Sequence, residues 1–522
     1  MIEAPNMARP FNLKQCFRLC LPALLIGLFL RICLVVAVPE AFNGSDTPSF
    51  TQASEHYWLK HKVHFDEKRR WLYPALLFPL PALPFSPARM VPLLQHALGL
   101  ATIFGIGWIT GNLTQSRKIW VPLVTIAAAV WPKMLELEHE VVAECVFLAA
   151  FVITAALALP LGSLKNKNRL FWFLVAAAAV AATKPHGRGI WFGGLVVAAL
   201  VTRNPLQWGW KNYGAVALGV LVILTSGEAR QADWLLLNSV LPLVNLEGQT
   251  WKEYRAALKP TVLKARENID QYPWRQSIFK KPLGDANPAL IDPVWADLTT
   301  RQEEFCKVCK DLAREAIRQH PFYFLRFTLT KACLSFVYWG DTDVWIKHLD
   351  PPVFWKLQVH EMEDRWVHST TRATLYYRMD QAQFDELAKE RATRTNWAFP
   401  FERWLERNIG WFKDNVNSAS GLHWLTIGPM GFLTLVGLLI CFLPSRFLST
   451  MILWLPGALC LVTVHAVGDV NQQYVQPIEW IGLVLIAIGL DFILGQALGL
   501  FGHRNAPTAP DAAEAKASLA SD

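Results

Sequence analysis

Residues 19–38 read LCLPALLIGLFLRICLVVAV, a run of apolar and small residues with one charge, Arg31. A helix rises about 1.5 Å per residue, so about 20 such residues cover a ~30 Å hydrocarbon core. Arg9, Lys14 and Arg18 lie ahead of the run. A cleaved signal peptide has a shorter apolar core and a small-residue cleavage site. The stretch therefore reads as a first transmembrane helix that is retained, and the preceding cations put the N-terminus in the cytoplasm.

The same pattern recurs along the chain. Ten spans are expected, near residues 19–38, 88–113, 119–135, 141–161, 169–184, 187–202, 213–229, 423–443, 447–467 and 475–496. Strict alternation places Arg117, Lys118, Lys165, Lys167, Arg169, Arg203 and Lys211 on the cytoplasmic side, as the cation rule demands. Trp108, Trp120, Trp172 and Trp210 stand at block edges, where amphipathic rings are favoured. The bulk numbers agree: 522 residues, 53% hydrophobic and 18% charged, with a mean hydropathy of +0.24. A soluble chain is about a quarter charged. The fold class expected is an all-α polytopic membrane protein.

The chain divides by composition. Residues 1–230 form an N-terminal membrane core with candidate catalytic outer loops. Residues 231–422 are mostly polar and lie outside, and 423–500 hold three more spans. Residues 501–522 are Ala-rich and polar, the composition of a disordered cytoplasmic tail. Within the outer region, Phe322–Tyr338 is apolar but carries Arg326 and Lys331. An ionised group at mid-bilayer costs roughly 2.5–3.5 kcal/mol on insertion scales. An interfacial or protein-buried helix is expected there rather than an eleventh span. The run 71–85 is broken by Pro74, Pro79, Pro81 and Pro84 and reads as a re-entrant or interfacial approach.

The net charge of +8 sits largely beside apolar blocks, and no zinc-finger spacing or RNA-binding aromatic motif is present, so no nucleic-acid partner is expected. There is no Walker A loop, no Gly-x-Gly-x-x-Gly after a strand and no Gly-x-Ser-x-Gly elbow. His139-Glu140 begins like a zinc-protease motif, but Ala143 stands where the second His belongs. Of nine Cys, only Cys306 and Cys309 pair closely in a polar region. That pair is read as packing, with a disulfide as the alternative in an oxidising compartment.

Three clusters carry candidate chemistry. Asp46, in Asn43-Gly44-Ser45-Asp46-Thr47-Pro48, sits at the outer boundary after the first span. There it serves either as a general base or as an ordinary turn residue. Glu136, Glu140 and Glu144 are spaced to share one face if helical, with Glu138 and His139 between them. They mark either a ligand or metal site or a solvated acidic face. Thr183-Lys184-Pro185-His186-Gly187-Arg188 is an outer turn whose Lys184 and Arg188 run against the cation rule, as do Lys60, Lys62, Lys68, Arg69 and Arg70. Such cations suit a lipid phosphate or pair with nearby carboxylates.

Taken together these motifs resemble the GT-C superfamily of membrane glycosyltransferases, which use polyprenyl-phosphate sugars. An Asp follows the first span (Asp46). Tyr73-Pro74 leads into the second, Glu144 opens the fourth and Lys184-Pro185 follows the fifth. Tyr474-Val475-Gln476-Pro477 precedes the last span. Ala316-Ile317-Arg318-Gln319-His320-Pro321-Phe322-Tyr323 is similar to a His-Pro-aromatic helix of bacterial members. Protein mannosyltransferases and lipid A aminoarabinose transferases are the nearest types. Gln473 stands where many relatives have Arg, and Lys184 replaces the usual Arg of the basic-Pro turn.

The resemblance implies a GT-C-like core of about 10–11 helices in a bacterial inner membrane, with both termini cytoplasmic and residues 231–422 periplasmic. It implies transfer of a sugar from a polyprenyl-phosphate donor to a hydroxyl of a glycan, lipid or protein acceptor. Asp46 would be the general base. Glu144, with Glu140, would orient the acceptor or hold a divalent metal. Lys184, Arg188, Arg69 and Arg70 would hold the donor phosphate, with Tyr474 and His139 as further candidates. The rival readings are a transporter or flippase for a lipid-linked or anionic solute, and a noncatalytic assembly protein. The seven-plus-three layout shows no repeat of the kind many transporters have.

Overall fold

The computed structural model describes residues 11–37, 39–41, 47–61, 70–225, 236–237, 240–271, 302–338, 429–467 and 478–504, with a few positions between 375 and 386. Among them the regular structure is helical, with no strand. Four helices are long and apolar enough to cross a membrane: Leu13–Val36, Pro87–Leu113, Arg446–Val464 and Glu479–Ala497. Shorter apolar helices include Glu144–Ala158, Gly187–Thr202 and Trp210–Thr225. This is the make-up of a membrane protein.

The first half contains α1 (Leu13–Ala37), α2 (Thr47–Lys60), α3 (Leu72–Leu77), α4 (Pro87–Leu113), α5 (Arg117–Ala129), α6 (Pro132–His139), α7 (Glu144–Ala158), α8 (Lys167–Thr183), α9 (Gly187–Thr202) and α10 (Trp210–Thr225). Then come α11 (Lys252–Gln271), α12 (Gln302–Gln319), α13 (Pro321–Tyr338), α14 (Pro429–Cys441), α15 (Pro444–Val467) and α16 (Glu479–Arg504). Local chemistry sets several boundaries. The Asn12 side chain accepts from Gln15 N–H at 2.8 Å and starts α1. Asn166 caps α8 through the N–H groups of Asn168 and Arg169. Pro87 occupies the first turn of α4, where its missing N–H costs nothing. A left-handed Arg203 ends α9.

One core cluster draws on α1, on α4 to α10 and on α13 to α16. Large apolar side chains also point outward, among them Phe29 and Val36 on α1, Leu224 on α10 and Phe322 on α13. In water such surfaces would drive aggregation, whereas in lipid they are the expected exterior. Apolar side chains gain little from burial when the solvent is itself apolar, so close packing has to hold the helices together. Glycines provide it. Gly189 and Gly193 of α9 lie on the α15 backbone at Leu459 and Pro456, and Gly437 of α14 lies on the Leu485 carbonyl of α16.

The end of α4 meets the start of α5 at a cation-rich turn. There Arg446 Nη1 donates to Leu113 O at 2.9 Å, so the α14–α15 turn stands at the same end as Arg117 and Lys118. Asp491 of α16 receives Gln115 N–H at 2.8 Å, Ser116 N–H at 2.9 Å and Trp120 Nε1–H at 3.0 Å. A buried carboxylate thus serves the open N-terminus of α5.

Two expectations change. The segment expected near 119–135 is two helices: Val130-Trp131-Pro132 ends α5 and restarts the chain as α6. Glu136, Glu140 and Glu144 do not share a helix face, because residues 140–143 are non-helical and Glu144 begins a new helix. The helix expected near 322–338 is α13. It packs on α14 and α15 and buries Thr328 and Ala332, while Phe322, Leu325 and Leu329 stay exposed.

Outside this bundle, α11 and α12 enclose a small core of their own with Leu237, Val240, Leu241 and Val244. Cys306 and Cys309 both lie on α12, and Cys309 is buried in that core. The packing reading holds for it.

At Gly437 a Cβ would lie 2.0 Å from the Leu485 carbonyl oxygen, whereas at Gly214 it meets nothing within 4 Å. Gly437→Val should therefore lower stability by about 1–3 kcal/mol, as overpacking does, and Gly214→Ala should leave it unchanged. Thermal unfolding of the detergent-solubilised protein checks both.

Candidate functional site

The candidate site lies where α7 begins, α8 ends and α9 begins. Lys184 follows the last residue of α8 in an extended conformation, as a residue before Pro prefers. Pro185 and His186 make the turn, and Gly187 starts α9. A Cβ on Gly187 would lie 2.3 Å from Val180 O, so the turn is tight enough to require glycine. The N–H groups of Gly187 and Gly189 return to Lys184 O and His186 O at 3.0 and 3.1 Å.

This turn brings Lys184 Nζ to Glu144 Oε1 in a direct ion pair, with both side chains nearly buried. Glu144 is the first residue of α7, where a negative charge also meets the helix dipole. Its second oxygen, Oε2, is buried without a hydrogen bond among the described residues. His186 packs edge-on against Phe147 at 4.7 Å. Burial, and then the Lys184 charge, hold its pKa well below the ordinary value, so the ring is neutral.

A second pair of cations stands at the end of α10. Arg70 Nη1 donates to Val222 O and Arg188 Nη2 to Ile223 O, each at 3.5 Å. These long bonds place the two guanidiniums on the last-turn carbonyls of a helix, a favourable end for cations. Burial, then the charge of Arg188, lower the Arg70 pKa to about 10, which leaves it protonated at neutral pH. Arg188 Nε is buried without a hydrogen bond among the described residues.

Glu144 and Lys184 thus meet at these turns, and Arg188, four residues beyond Lys184, stands with Arg70 at the end of α10. Asp46, Arg69 and Tyr474 lie outside the described residues. Thr47, next after Asp46 in the chain, donates to Val141 O at 3.2 Å, so the start of α2 stands over the 140–143 link.

His139, with the backbone carbonyl of Glu140, belongs to a buried polar network that sequence reasoning missed. Arg31 of α1 grips Glu138 of α6 with Nε to Oε2 at 2.6 Å and Nη2 to Oε1 at 2.5 Å. His96 Nδ1 meets Glu138 Oε2 at 2.8 Å, and His96 Nε2 meets His139 Nδ1 at 3.1 Å. Gln95 Nε2 donates to the carbonyls of Glu138 and Glu140 at 3.1 and 2.7 Å. Tyr73 O–H donates to Gln95 Oε1 at 3.0 Å. The available sequence signal was Arg31 itself, a charge in the middle of an apolar run.

Among the described residues no group of three His, Cys, Asp or Glu side chains is placed to hold a metal ion. Glu144 faces an ammonium instead. Compared with family models, with curated proteins and with solved structures, the chain gives no match in any of the three.

Lys184→Ala should strand a nearly buried carboxylate and cost about 3–5 kcal/mol, while Lys184→Met with Glu144→Gln should cost clearly less. A double-mutant cycle on thermal unfolding checks this. Acid should also destabilise the protein through His186. The unfolded ring takes a proton as pH falls below its ordinary 6.5, and the folded ring does not. Stability should drop by at most about 1.4 kcal/mol per pH unit below that point. Unfolding midpoints between pH 7.5 and 5.5, about one unit on either side of the ordinary value, should fall less in a His186→Asn variant.

Proposed function

We propose that this chain is a polytopic GT-C-type glycosyltransferase of a bacterial inner membrane, with ten spans and both termini cytoplasmic. It transfers a sugar from a polyprenyl-phosphate donor to an acceptor hydroxyl on the outer face. The observation that carries the reading is the meeting of Glu144 and Lys184, which are 40 residues apart in sequence, beside the Arg70–Arg188 pair. A scaffold has no need for such a gathering.

In the proposed reaction Asp46 takes the proton from the acceptor hydroxyl. That oxygen attacks the sugar C1, and the bond from C1 to the phosphate oxygen breaks. Glu144 Oε2 accepts a hydrogen bond from the acceptor and so orients it. Arg188 and Arg70, with Arg69 from the same basic run, meet the negative charge that develops on the departing phosphate. Lys184 has a different part from the one its motif implies: it pairs with Glu144 and holds that carboxylate in place. The donor arrives already activated, so no nucleotide site is needed. The acceptor is a glycan, lipid or protein bearing a hydroxyl.

A transporter remains the second reading because α1, α4 and α6 bury the Arg31–Glu138–His96 cluster, and intramembrane charges often mark transport paths. Mass spectrometry of co-purifying lipids separates the two. A polyprenyl phosphate or its sugar adduct should accompany the wild type and be lost from Arg70→Gln/Arg188→Gln. Bulk phospholipid alone in both preparations would count against the transferase. Asp46→Asn should retain the lipid and abolish transfer, and retained turnover would remove Asp46 from the mechanism.

A further inference from the structure

Glu144 stands immediately after four non-helical residues, 140–143, between two helices. Irregular backbone buried among apolar helices keeps its course only where its polar groups find partners in the protein. Here the partners come from four separate elements, α2 among them through Thr47, which donates to Val141 O at 3.2 Å. From α1, Arg31 binds both Glu138 oxygens and spends Nη1 on Gly27 O at 3.0 Å. From α4, His96 takes the Glu138 carboxylate while Gln95 takes the carbonyls of residues 138 and 140. From α3, Tyr73 fixes the other end of the Gln95 amide.

Other details point the same way. At Gly99 a Cβ would fall 2.0 Å from Glu138 Oε1, so α4 has a notch that admits the carboxylate. Both Arg31 and Glu138 are almost fully buried, at 2% and 1% exposure. The hydrogen bonds also order the imidazoles. His96 Nδ1 lies against Glu138 Oε2 and its Nε2 against His139 Nδ1, so the carboxylate and the two rings form one continuous chain.

Stability alone does not account for this. A buried ion pair is often replaceable by apolar groups without loss, whereas stranding one partner is harmful. What the network supplies is a unique path for residues 138–141. We infer that Arg31, Glu138, His96 and Gln95 are positioning residues, a buried lock that sets the 138–144 link and so holds Glu144 against Lys184. The functional meaning of the lock rests on the proposed transfer reaction, but its geometry does not.

The test uses the full chain in lipid nanodiscs and the double variant Arg31→Met/Glu138→Leu, which removes both charges together. Three readouts are taken: amide exchange across 138–144, binding of farnesyl phosphate as a short polyprenyl-phosphate probe, and steady-state turnover with the donor found on the wild type. Exchange in the 138–144 peptide should quicken at least about tenfold while peptides of α8 and α9 hold their rates. Probe affinity should stay within about twofold, and kcat should fall at least about tenfold at unchanged KM.

Unchanged exchange at 138–144 in a folded variant would overturn the lock. So would loosening spread evenly through α8 and α9, or a rise in KM with kcat intact. If the double variant fails to fold, Gln95→Leu, which keeps the ion pair, carries the same measurements with the same expected outcomes. A wild type that neither binds the probe nor turns over donor would defeat the transfer reaction instead, and the exchange result would then decide the lock alone.

Discussion

A guanidinium and a carboxylate buried together among apolar helices constrain everything packed around them. Separating Arg31 from Glu138 would leave one charge uncompensated, at about 3–5 kcal/mol. Membrane insertion scales assign a comparable roughly 2.5–3.5 kcal/mol to a charged side chain at the bilayer centre. The pair must therefore meet, and its meeting fixes α6 against α1 across 107 residues of sequence. His96 then has to face the same carboxylate, Gly99 has to stay small, and the chain beyond His139 has to leave along one route. Non-helical backbone at 140–143 follows from that route, and Gln95 is what makes it tolerable.

The same economy recurs elsewhere. Asp491 satisfies two N–H groups at the head of α5 and the Trp120 indole, joining α16 to the α4–α5 turn. In the α11–α12 unit Arg255 is 1% exposed. It gathers Asn245 O, Thr250 O and Glu315 Oε2 into one knot between α11 and α12. Each case uses one ionised group with several partners to organise a loop. Within the bundle, directional bonds do what apolar contact cannot, since lipid-like surroundings give apolar contact little selectivity.

Much of the helix layout was legible in the sequence because apolar length is a local property. The expected segment 187–202 coincides with α9, and 88–113 differs from α4 by one residue. The acidic run was misread for an equally local reason. Spacing of i, i+4, i+8 says which residues share a face if the helix continues, but nothing about whether it continues. Trp131-Pro132 and the 140–143 link break the helix twice. Glu138 looked like a spacer in an outer loop because its partner is Arg31, and no local pattern joins them. The Glu144–Lys184 meeting was one of two readings of the basic turn, pairing with nearby carboxylates, but the sequence did not say which carboxylate. Its direct ion pair depends on how α7, α8 and α9 pack. Asp46, Arg69 and Tyr474 stand outside the described residues, so their part of the reading rests on sequence alone.

The pairing of Lys184 changes how charge would be divided in the proposed reaction. A lysine already engaged with a nearly buried carboxylate has little left to offer a phosphate, and drawing it away would expose Glu144 to the full cost of an unpartnered charge. Arg70 and Arg188 are placed differently. Each makes one long bond to a helix-end carbonyl, which a phosphate would outcompete because it carries full negative charge and can take two parallel N–H bonds from a guanidinium fork. Burial first, and then the neighbouring Arg188 charge, lower the Arg70 pKa, and an anion between the two guanidiniums would relieve their repulsion. Cation identity then follows from task. The compact ammonium balances one carboxylate, and the planar forks are left for a ligand with several oxygens.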